Sequence, residues 1–324
     1  MFKKILLLFF LIILIVLLPK IIYYGNAYIQ ITNIKTYDSN LTVDKENNIL
    51  YTQTENDIKI LQLSDIQIDD YKEAIDPFIK IKQLVKQTLP DLIVLTGDTL
   101  DNPAEKKHFE KLVSFMDSFN IPWAPVYGNH DHWTNISISK QNEIFENSEN
   151  CLFKVGNVLN SNGNYYYSIM NEDTPLYSLI FMDSKESGFT QEHTIWYENT
   201  INNINSKYDK NVPSMMFFHI PLPEISEAYE YYKLNPTTGN GDKGESFCTQ
   251  EENVGMFDKI IELNSTKLMA FGHDHINTLH MKYKEVMFCY GLKTGLTSYY
   301  DENIQGGCLY TITNSDILIN RIYF

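Results

Sequence analysis

The feature that most constrains this chain is a series of strand-length apolar runs, each followed almost at once by a side chain that can bind metal. Residues 58–63 and 91–96 are two such runs, and they lead to Asp65 and Asp98 respectively. Between them, the apolar residues of positions 75–85 recur mostly with the period of one helix face. Strand, helix and strand in this order form the parallel unit of α/β proteins.

The same alternation continues along the rest of the chain. It predicts helices at residues 104–119 and 192–204, strands at residues 123–127, 165–170, 177–183, 214–219, 267–271 and 286–290, and two more strands at the C-terminus. No internal repeat or interdomain linker interrupts residues 58–324, so we expect one α/β domain there. Residues 28–57 are polar and weakly patterned, which indicates a short lead-in with room for one strand. Residues 221–249 contain several Gly and Pro residues and little periodicity, which predicts a long loop of the kind that often covers a functional site.

The composition narrows the possible partners. Of the 324 residues, 44% are hydrophobic and 21% are charged, so the chain can bury a large core. A formal net charge of -15 argues against nucleic acid as a partner, because proteins that bind the phosphate backbone concentrate Lys and Arg on one face. An acidic chain also repels anionic substrates at long range. A phosphate site would therefore need a local source of positive charge, and bound metal cations are such a source.

The N-terminus has the pattern of a secretory leader. Lys3 and Lys4 precede an unbroken apolar run over residues 5–18, and small residues up to Ala27 suit cleavage after that position. An uncleaved signal anchor is the alternative, because residues 5–24 are long enough to serve as a membrane tether. Residues 1–27 are therefore expected to be a signal peptide or signal anchor. The rest of the chain would then enter the secretory pathway and be secreted or membrane-anchored on the extracytoplasmic side.

Four cysteines lie far apart in the sequence, at positions 151, 248, 289 and 308. Because no two of them have a short metal-binding spacing, a zinc ribbon is excluded. In an exported protein they permit up to two disulfides, and buried free thiols are the alternative.

Five predicted strand ends deliver six candidate metal ligands, which are Asp65, Asp98, Asn129, His219, His273 and His275. Open α/β sheets place their sites where strands end, because loops converge there without disrupting the sheet. Asp98 is the candidate bridge, since a two-metal site needs a carboxylate that contacts both ions. Taken singly, each residue has a simpler explanation. A helix cap or turn would explain Asp65 and Asp98, and a buried core histidine would explain His219.

Two local motifs are more specific than the single residues. In the Gly-Asn-His-Asp segment 128–131, a turn would explain Asn129 but not the His and Asp that follow. Asn is an unusual metal ligand, and His130 beside it is well placed to act on a substrate. In the Gly-His-Asp-His segment 272–275, two imidazoles at alternate positions of an extended segment point to the same side. That spacing suits neighbouring metals.

Together, these segments resemble the calcineurin-like metallophosphoesterase superfamily, in the branch related to purple acid phosphatases. The matching segments cover residues 63–65, 97–101, 128–131, 218–219 and 272–275. The resemblance extends over residues 58–324 and implies an α/β fold, a four-layer α/β/β/α sandwich with a mixed central β-sandwich. It also implies hydrolysis of a phosphate-ester substrate, with two divalent metal ions (Mn, Zn or Fe) as cofactors.

Carried over position by position, the resemblance assigns two ligand sets that share Asp98. One metal would be bound by Asp65, Asp98 and His275, and the other by Asp98, Asn129, His219 and His273. His130 would approach the leaving-group oxygen as a catalytic residue, and Asp101 would orient its imidazole. The implied reaction is attack by metal-bound hydroxide on phosphorus, with phosphomonoesters favoured and phosphodiesters as the alternative.

Two positions depart from the pattern of the superfamily. Most members have His two residues after the first Asp, where this chain has Gln67, a possible weak ligand through its amide oxygen. Purple acid phosphatases have an iron-binding Tyr where this chain has Asp101. The change at Gln67 leaves a second alternative open, a non-catalytic metal- or ligand-binding module with a degraded first metal site.

Overall fold

The computed structural model of the protein describes residues 15–26, 29, 32, 35–52, 57–69, 71–158, 160–313 and 316–324. Residues 1–14 and Ala27, which make up most of the predicted leader, lie outside this description, as does half of the predicted tether over residues 5–24. Residues 15–26 are helical. Within the described ranges, none of the helices combines the length and the apolar character needed to span a membrane.

The strands of the described chain assemble into two sheets. In chain order they are β1 (Leu41–Asp44), β2 (Ile49–Thr52), β3 (Ile58–Leu63), β4 (Leu92–Thr96), β5 (Trp123–Val126), β6 (Tyr165–Asn171), β7 (Thr174–Phe181), β8 (Ser214–Phe217), β9 (Gly239–Asn240), β10 (Thr266–Phe271), β11 (His280–Tyr283), β12 (Val286–Tyr290), β13 (Gly306–Ile312) and β14 (Ile317–Tyr323).

Helices connect many of these strands. They are α1 (Tyr71–Thr88), α2 (Lys106–Asp117), α3 (Asn129–His132), α4 (Ile138–Glu146), α5 (Gln191–Tyr208), α6 (Ile225–Leu234) and α7 (Met256–Leu263). A short 3-10 helix over Pro236–Thr238 follows α6.

The smaller sheet has five strands in the order β14-β13-β3-β4-β5. β3, β4 and β5 are parallel neighbours, whereas β13 is antiparallel to both β3 and β14. All five residues of β4 are buried, which is expected for a central parallel strand that is covered on both faces. α1 packs against β3 and β13 and covers one of these faces.

The larger sheet has nine strands in the order β1-β2-β6-β7-β8-β10-β12-β11-β9. Its centre is parallel, because β7, β8, β10 and β12 run in the same direction. Antiparallel pairs lie on either side of that centre, at β6 with β7 and at β11 with β12. Both sheets are therefore mixed.

Alternate residues of the larger sheet face two different apolar cores. Met215 and Phe217 of β8 belong to the core that also contains side chains of the five-stranded sheet. Met216 lies in the second core, with Tyr197 of α5 and Phe257 of α7. The alternation follows from strand geometry, since successive side chains point to opposite faces. Two mixed sheets with helices outside them confirm the predicted α/β sandwich.

The long loop predicted over residues 221–249 is wrong, because α6, the 3-10 helix and β9 lie within that segment. In α6, Ile225 and Ala228 are buried, and Tyr229 and Tyr232 pack against the same core. These positions recur at helical spacing. Two of the four residues are tyrosines, so the apolar period is weak in the sequence.

Residues before the predicted domain also contribute to the fold. β1 and β2 form an antiparallel hairpin, and β2 then pairs in parallel with β6 at one side of the larger sheet. The segment 41–52 thus supplies two strands where the sequence left room for one. All four cysteines are free; Cys248 is exposed and the other three are buried. Of the two alternatives, the structure has free thiols.

Candidate metal centre

The predicted ligands lie at one edge of the molecule, where parallel strands of both sheets end. β3, β4 and β5 end there in the smaller sheet, and β8 and β10 end there in the larger one. His219 Nδ1 lies 2.8 Å from the carbonyl oxygen of Thr96, and this hydrogen bond joins the two edges. The fold therefore brings strand ends from distant parts of the sequence into one place.

Three of the predicted ligands follow a glycine that permits close approach of neighbouring loops. A Cβ atom at Gly128 would lie 2.2 Å from Asp98 Oδ1, and one at Gly272 would lie 2.0 Å from Ser64 Oγ. Gly97 has a φ of 85°, in the left-handed region that favours glycine. A larger residue at these positions would push the ligand-bearing segments apart.

The ligands themselves have unusual backbone conformations. Asp65, Asp98 and His273 have φ values of 52°, 48° and 77°. Such left-handed conformations cost non-glycine residues on the order of 1–3 kcal/mol each and persist only where surrounding contacts enforce them. One of these contacts is the hydrogen bond from Asp65 N to Gly97 O, at 3.2 Å. Clustered strain of this kind is typical of functional sites.

The first candidate ligand group contains Asp65, Asp98 and His275, all of which are buried. Their potential ligand atoms lie within 4.8 Å of one another. His275 Nδ1 is 2.9 Å from the carbonyl oxygen of Tyr299, so Nδ1 carries the hydrogen and Nε2 keeps a free lone pair. That Nε2 lies 3.4 Å from Asp65 Oδ1.

The second candidate group contains Asp98, His219 and His273, again with potential ligand atoms within 4.8 Å. His219 donates from Nδ1 to Thr96, so its Nε2 faces the group and lies 3.2 Å from Asp98 Oδ2. The same Nε2 lies 3.2 Å from His273 Nδ1. Asp98 belongs to both groups, which is the arrangement expected of a bridging carboxylate.

Two buried oxygens at the centre have no hydrogen-bond partner among the described residues. They are Asp65 Oδ1 and Asn129 Oδ1. An unsatisfied buried acceptor costs about 1–3 kcal/mol, and a cation that accepts its lone pair would remove that cost. Carboxylate oxygen, amide oxygen and imidazole nitrogen are suitable ligands for Mn, Fe and Zn. The residues present therefore fit divalent metal ions.

The electrostatics of the centre also favour positive charge. Burial disfavours a charged imidazole at His219, but the carboxylates of Asp98 and Asp65 raise the pKa of His219 to about 10. Burial and the neighbouring His219 lower the pKa of His273 to about 4. Burial opposes ionisation of Asp65, yet the neighbouring imidazoles of His275 and His219 hold the pKa of Asp65 well below its usual range. A proton on His219 therefore neutralises part of the negative charge of Asp98 and Asp65, which bound cations would otherwise neutralise.

His130 lies beside the two groups and reaches the surface. Its Nδ1 is 2.8 Å from Asp101 Oδ1, and its Nε2 is 3.8 Å from Asp98 Oδ2. The main-chain N–H of His130 donates to Asp98 Oδ1 at 2.8 Å. The imidazole is 27% exposed and its ring centroid lies 4.8 Å from that of Trp133. A substrate can therefore reach it.

Gln67, two residues after Asp65, is fully buried. Its Oε1 accepts a hydrogen bond of 2.5 Å from Lys293 Nζ, and its Nε2 has no partner in the described part of the chain. Lys293 is also buried and donates to the carbonyl oxygen of Asp65 at 3.1 Å. Burial lowers the pKa of Lys293 to about 8, against the effect of nearby carboxylates, chiefly Asp65.

A cavity of about 180 Å³ opens onto the centre. Its lining residues are Asp98, His130, Glu245, Ser246, Cys248, His273, Asp274, His275, Ser298 and Tyr299. Residues 245–248 come from the end of segment 221–249. The main-chain N–H of Cys248 donates to Asp274 Oδ1 at 3.2 Å, which fixes this segment against the ligand-bearing loop.

Asp131 has a supporting position that sequence reasoning did not assign. Its carboxylate accepts hydrogen bonds of 2.9 Å from the main-chain N–H groups of Leu100 and Gly128. It thereby joins the loops that follow β4 and β5, which carry Asp98 and Asn129. Asp131 lies inside a recognised motif, and that membership is the signal that could have indicated its role.

The orientation of His275 was also missed. It depends on the carbonyl oxygen of Tyr299, and any residue at position 299 could supply a main-chain carbonyl. The sequence therefore contains no signal for this contact. Lys293 likewise lies outside every recognised motif.

Comparison with known proteins identifies the class of this chain. A family model described as calcineurin-like phosphoesterase matches residues 58–277, which is more than half of the chain. The protein belongs to this family. The matched range contains the six predicted ligands together with His130 and Asp101.

Two curated relatives illustrate how far the similarity extends. Probable inactive purple acid phosphatase 28 of Arabidopsis thaliana is 25% identical over 253 residues, covering 68% of this chain and 62% of that protein. Phosphatase DCR2 of Saccharomyces cerevisiae is 29% identical over 281 residues, covering 73% of this chain and 48% of that protein. The chain therefore spans less than two thirds of the length of these two relatives.

Solved structures resemble the fold at low sequence identity. A dimetal phosphatase from Danio rerio has a TM-score of 0.54 and 10% identity, covering 83% of this chain and 98% of that one. GAP50 of Plasmodium, described as the anchor in the inner membrane complex, has a TM-score of 0.51 and 13% identity, covering 83% and 85%. At these identities the similarity concerns the fold alone.

Proposed function

We propose that the protein hydrolyses phosphate esters, with monoesters favoured, by means of two divalent metal ions. One ion would be held by Asp65, Asp98 and His275, and the other by Asp98, Asn129, His219 and His273. The observation that carries this proposal is that two candidate ligand groups share Asp98 and lie beside the His130–Asp101 pair. Membership in the calcineurin-like phosphoesterase family supports the same conclusion.

The residues of the centre would hold and orient the ions. When bound, two divalent cations act as Lewis acids that polarise phosphoryl oxygens and lower the pKa of bound water. Main-chain carbonyls fix the rings of His219 and His275 so that each Nε2 points to the ligand groups. Ligands oriented in advance need no reorganisation during the reaction.

His130 is the proposed acid for the leaving group. Its Nδ1 is held by Asp101, so its Nε2 is free to carry a proton toward the oxygen that leaves phosphorus. Asp101 stabilises the imidazolium before the transfer and fixes the direction of the ring. A positioned general acid of this kind contributes about 10²- to 10⁴-fold to a rate.

A non-catalytic metal- or ligand-binding module is the second candidate function. The contact between Gln67 and Lys293 favours it, because that contact engages an oxygen that could have served as a ligand. The plant relative named as a probable inactive phosphatase points the same way. The pairing of His130 with Asp101 favours the enzyme, since a binding module gains nothing from an acid for a leaving group.

Activity assays distinguish these functions. The purified protein is supplied with Mn²⁺, Zn²⁺ or Fe²⁺, and hydrolysis of an aryl phosphate monoester is compared with that of the corresponding diester. Faster turnover of the monoester supports the proposal, whereas faster turnover of the diester indicates a phosphodiesterase. No turnover of either ester by protein that contains bound metal indicates the binding module.

We also propose that residues 1–27 direct the domain to an extracytoplasmic location. The support is the sequence pattern, in which Lys3 and Lys4 precede the apolar run of residues 5–18. Fractionation of cells that express the full chain, with N-terminal sequencing of the product, tests the proposal. An exported product that begins after Ala27 indicates a signal peptide, and an intact chain in the membrane fraction indicates a tether. An intact chain in the cytosol contradicts both.

A further inference from the structure

We propose that Lys293 is a fixed internal cation of the metal centre that keeps Gln67 out of the ligand set and weakens metal binding at the first position. The first position is the one formed by Asp65, Asp98 and His275. The inference rests on the proposed function only in assuming that the centre binds divalent cations. It predicts two unequal metal affinities in one centre.

The side-chain contacts of Gln67 argue against its being a ligand. Gln67 Oε1 lies 2.5 Å from the ammonium group of Lys293, so the only oxygen of that side chain already faces a positive charge. Moving toward a metal would give up this charge-assisted hydrogen bond, which belongs to the stronger class. The other end of the amide, Nε2, is a donor and cannot bind a cation. Gln67 is therefore bound to Lys293 and unavailable to a metal.

The backbone of Gln67 is held as well, which prevents the side chain from moving with its main chain. Gln67 N donates to Asp98 O at 2.9 Å, and Thr297 Oγ1 donates to Gln67 O at 2.5 Å. Its φ of 50° lies in the left-handed region, where few alternative conformations are available to a non-glycine residue. These main-chain contacts hold the side chain of Gln67 in place against Lys293.

Main-chain contacts with Ser64 fix the position of Lys293. Ser64 and Lys293 form an isolated parallel bridge, and Thr294 N donates to Ser64 O at 2.8 Å. The ammonium group donates to Asp65 O at 3.1 Å and to Gln67, and within the described residues no carboxylate forms an ion pair with it. Because the ammonium group is buried, water screens its field less than it would at an exposed position.

That field acts unequally on the two metal positions. The oxygen that accepts from Lys293 Nζ is the main-chain carbonyl of Asp65, whose carboxylate belongs to the first ligand group. At the second position, the hydrogen bonds and ion pairs of His219 and His273 are with carboxylates, a main-chain carbonyl and each other, and no lysine or arginine of the described residues takes part in them. A cation at the first position therefore experiences the stronger repulsion from Lys293.

Calorimetric titration of the metal-free full chain with Mn²⁺ tests the inference directly. We expect two equivalents, of which the second binds about tenfold or more weakly, as expected for a like charge close to a partly buried site. Replacing Lys293 with Met should tighten the weaker equivalent by about tenfold and leave the tighter one unchanged. The double variant Gln67→His, Lys293→Met should bring the two affinities closest together, since it adds an imidazole where Gln67 lies.

Lys154 provides a matched control. Its Nζ also donates to a main-chain carbonyl, that of Lys45 at 2.6 Å, and to a side-chain amide oxygen, that of Asn48. Lys154→Met removes a partly buried lysine with similar contacts away from the centre, so it should leave both affinities unchanged. If Lys293→Met does not fold, Lys293→Gln removes the charge while keeping donors for the same oxygens.

Two results would overturn the inference. One is a wild-type protein that binds both Mn²⁺ equivalents with equal affinity, and the other is a weaker affinity that stays the same in both Lys293 variants. Failure of the proposed function has a different signature, in which the two unequal affinities are present but saturating Mn²⁺ produces no ester hydrolysis.

Discussion

The two proposed metal positions share Asp98 but differ in which residues complete them. At the second position, the imidazoles of His219 and His273 lie in one group with Asp98, and Asn129, the proposed fourth ligand, has a buried amide oxygen with no partner among the described residues. At the first position, the amide that could have completed the set belongs to Gln67 and is held by Lys293. The two amides therefore differ in availability, because the oxygen of Asn129 has no partner in the described chain and that of Gln67 is bonded to Lys293.

The positions also differ in how firmly their histidines are oriented. His219 is oriented by the carbonyl of Thr96, at the end of a fully buried strand. His275 is oriented by the carbonyl of Tyr299, a residue that is 50% exposed and lies outside any strand or helix. Partners beyond the ligands fix ring direction and tune affinity, so the more exposed one gives the less rigid position. The firmer orientation of His219 and the charge of Lys293 near the first position therefore both favour tighter metal binding at the second position.

The largest effect is expected from Asp98→Ala, because Asp98 belongs to both positions. The variant should lose both metal equivalents and all measurable hydrolysis together, since each group is left with one oxygen ligand fewer and no bridge. Metal content by elemental analysis and initial rates on an aryl phosphate are the measurements. A variant that keeps one tightly bound metal would show that the second position does not depend on the shared carboxylate.

The next effect concerns turnover without metal loss. His130→Ala should slow hydrolysis by about 10²- to 10⁴-fold, because it removes the proposed acid while leaving both ligand groups in place. Its metal content should equal that of the wild type. Asp101→Asn should give a smaller loss in the same direction, since the imidazole remains but its orienting carboxylate is gone.

Equal loss of metal in His130→Ala would contradict this separation of roles. It would place His130 among the ligands and make the comparison between the two positions incomplete. The His132→Ala variant is a useful control. His132 lies on the same short helix but contacts Asp183 at 3.4 Å, so its removal should not reduce turnover to the same extent.

Much of this site could be predicted from sequence because its ligands follow strands. Asp65, Asp98 and His219 each come two residues after a mainly apolar strand, and that pattern depends only on neighbours in the chain. β3 and β12 have the predicted boundaries, the six other strands predicted with bounds differ by at most three residues at either end, and β9 and β11 were not predicted.

The contacts that distinguish the two positions could not be predicted. Lys293 and Gln67 are separated by 226 residues, and their contact depends on how β3 and the segment after β12 are brought together. A lysine is usually exposed, so nothing local to position 293 indicates burial. The hairpin of β1 and β2 was underestimated for a related reason, because its pairing with β6 is long-range.

A smaller effect on Mn²⁺ affinity should show that His219 and His275 belong to different metal positions. His219→Ala should weaken the tighter Mn²⁺ equivalent, whereas His275→Ala should weaken the looser one, each by at least about 10- to 100-fold, since loss of a residue that only supports a ligand already costs that much. Calorimetric titration of the two variants under the same conditions is the measurement. If both variants lose the same equivalent, the assignment of the two histidines to different positions is wrong.

The smallest effect is a pH dependence of stability that comes from His193, outside the metal centre. It must be known before the pH dependence of metal binding is interpreted. Burial lowers the pKa of His193 from 6.5 to about 4. Its Nδ1 accepts from Thr190 N at 3.0 Å and its Nε2 lies 3.0 Å from Ser161 Oγ, so the neutral ring fits and a second proton would face an N–H group. The unfolded chain binds this proton more readily than the folded one. The contribution of neutral His193 to the free energy of unfolding is therefore fully present above pH 6.5 and is lost as the pH falls toward 4.

Unfolding of the metal-free protein in urea at pH 8 and pH 5 measures this contribution. A pKa difference of this size corresponds to at most about 3 kcal/mol, and part of it should appear between the two pH values. His193→Gln should be less stable than the wild type at pH 8 but should lose less stability on going to pH 5. If the wild type and the variant lose the same amount, His193 does not cause the acid sensitivity. The next groups to test would be His273 and His280, whose pKa values burial also lowers to about 4.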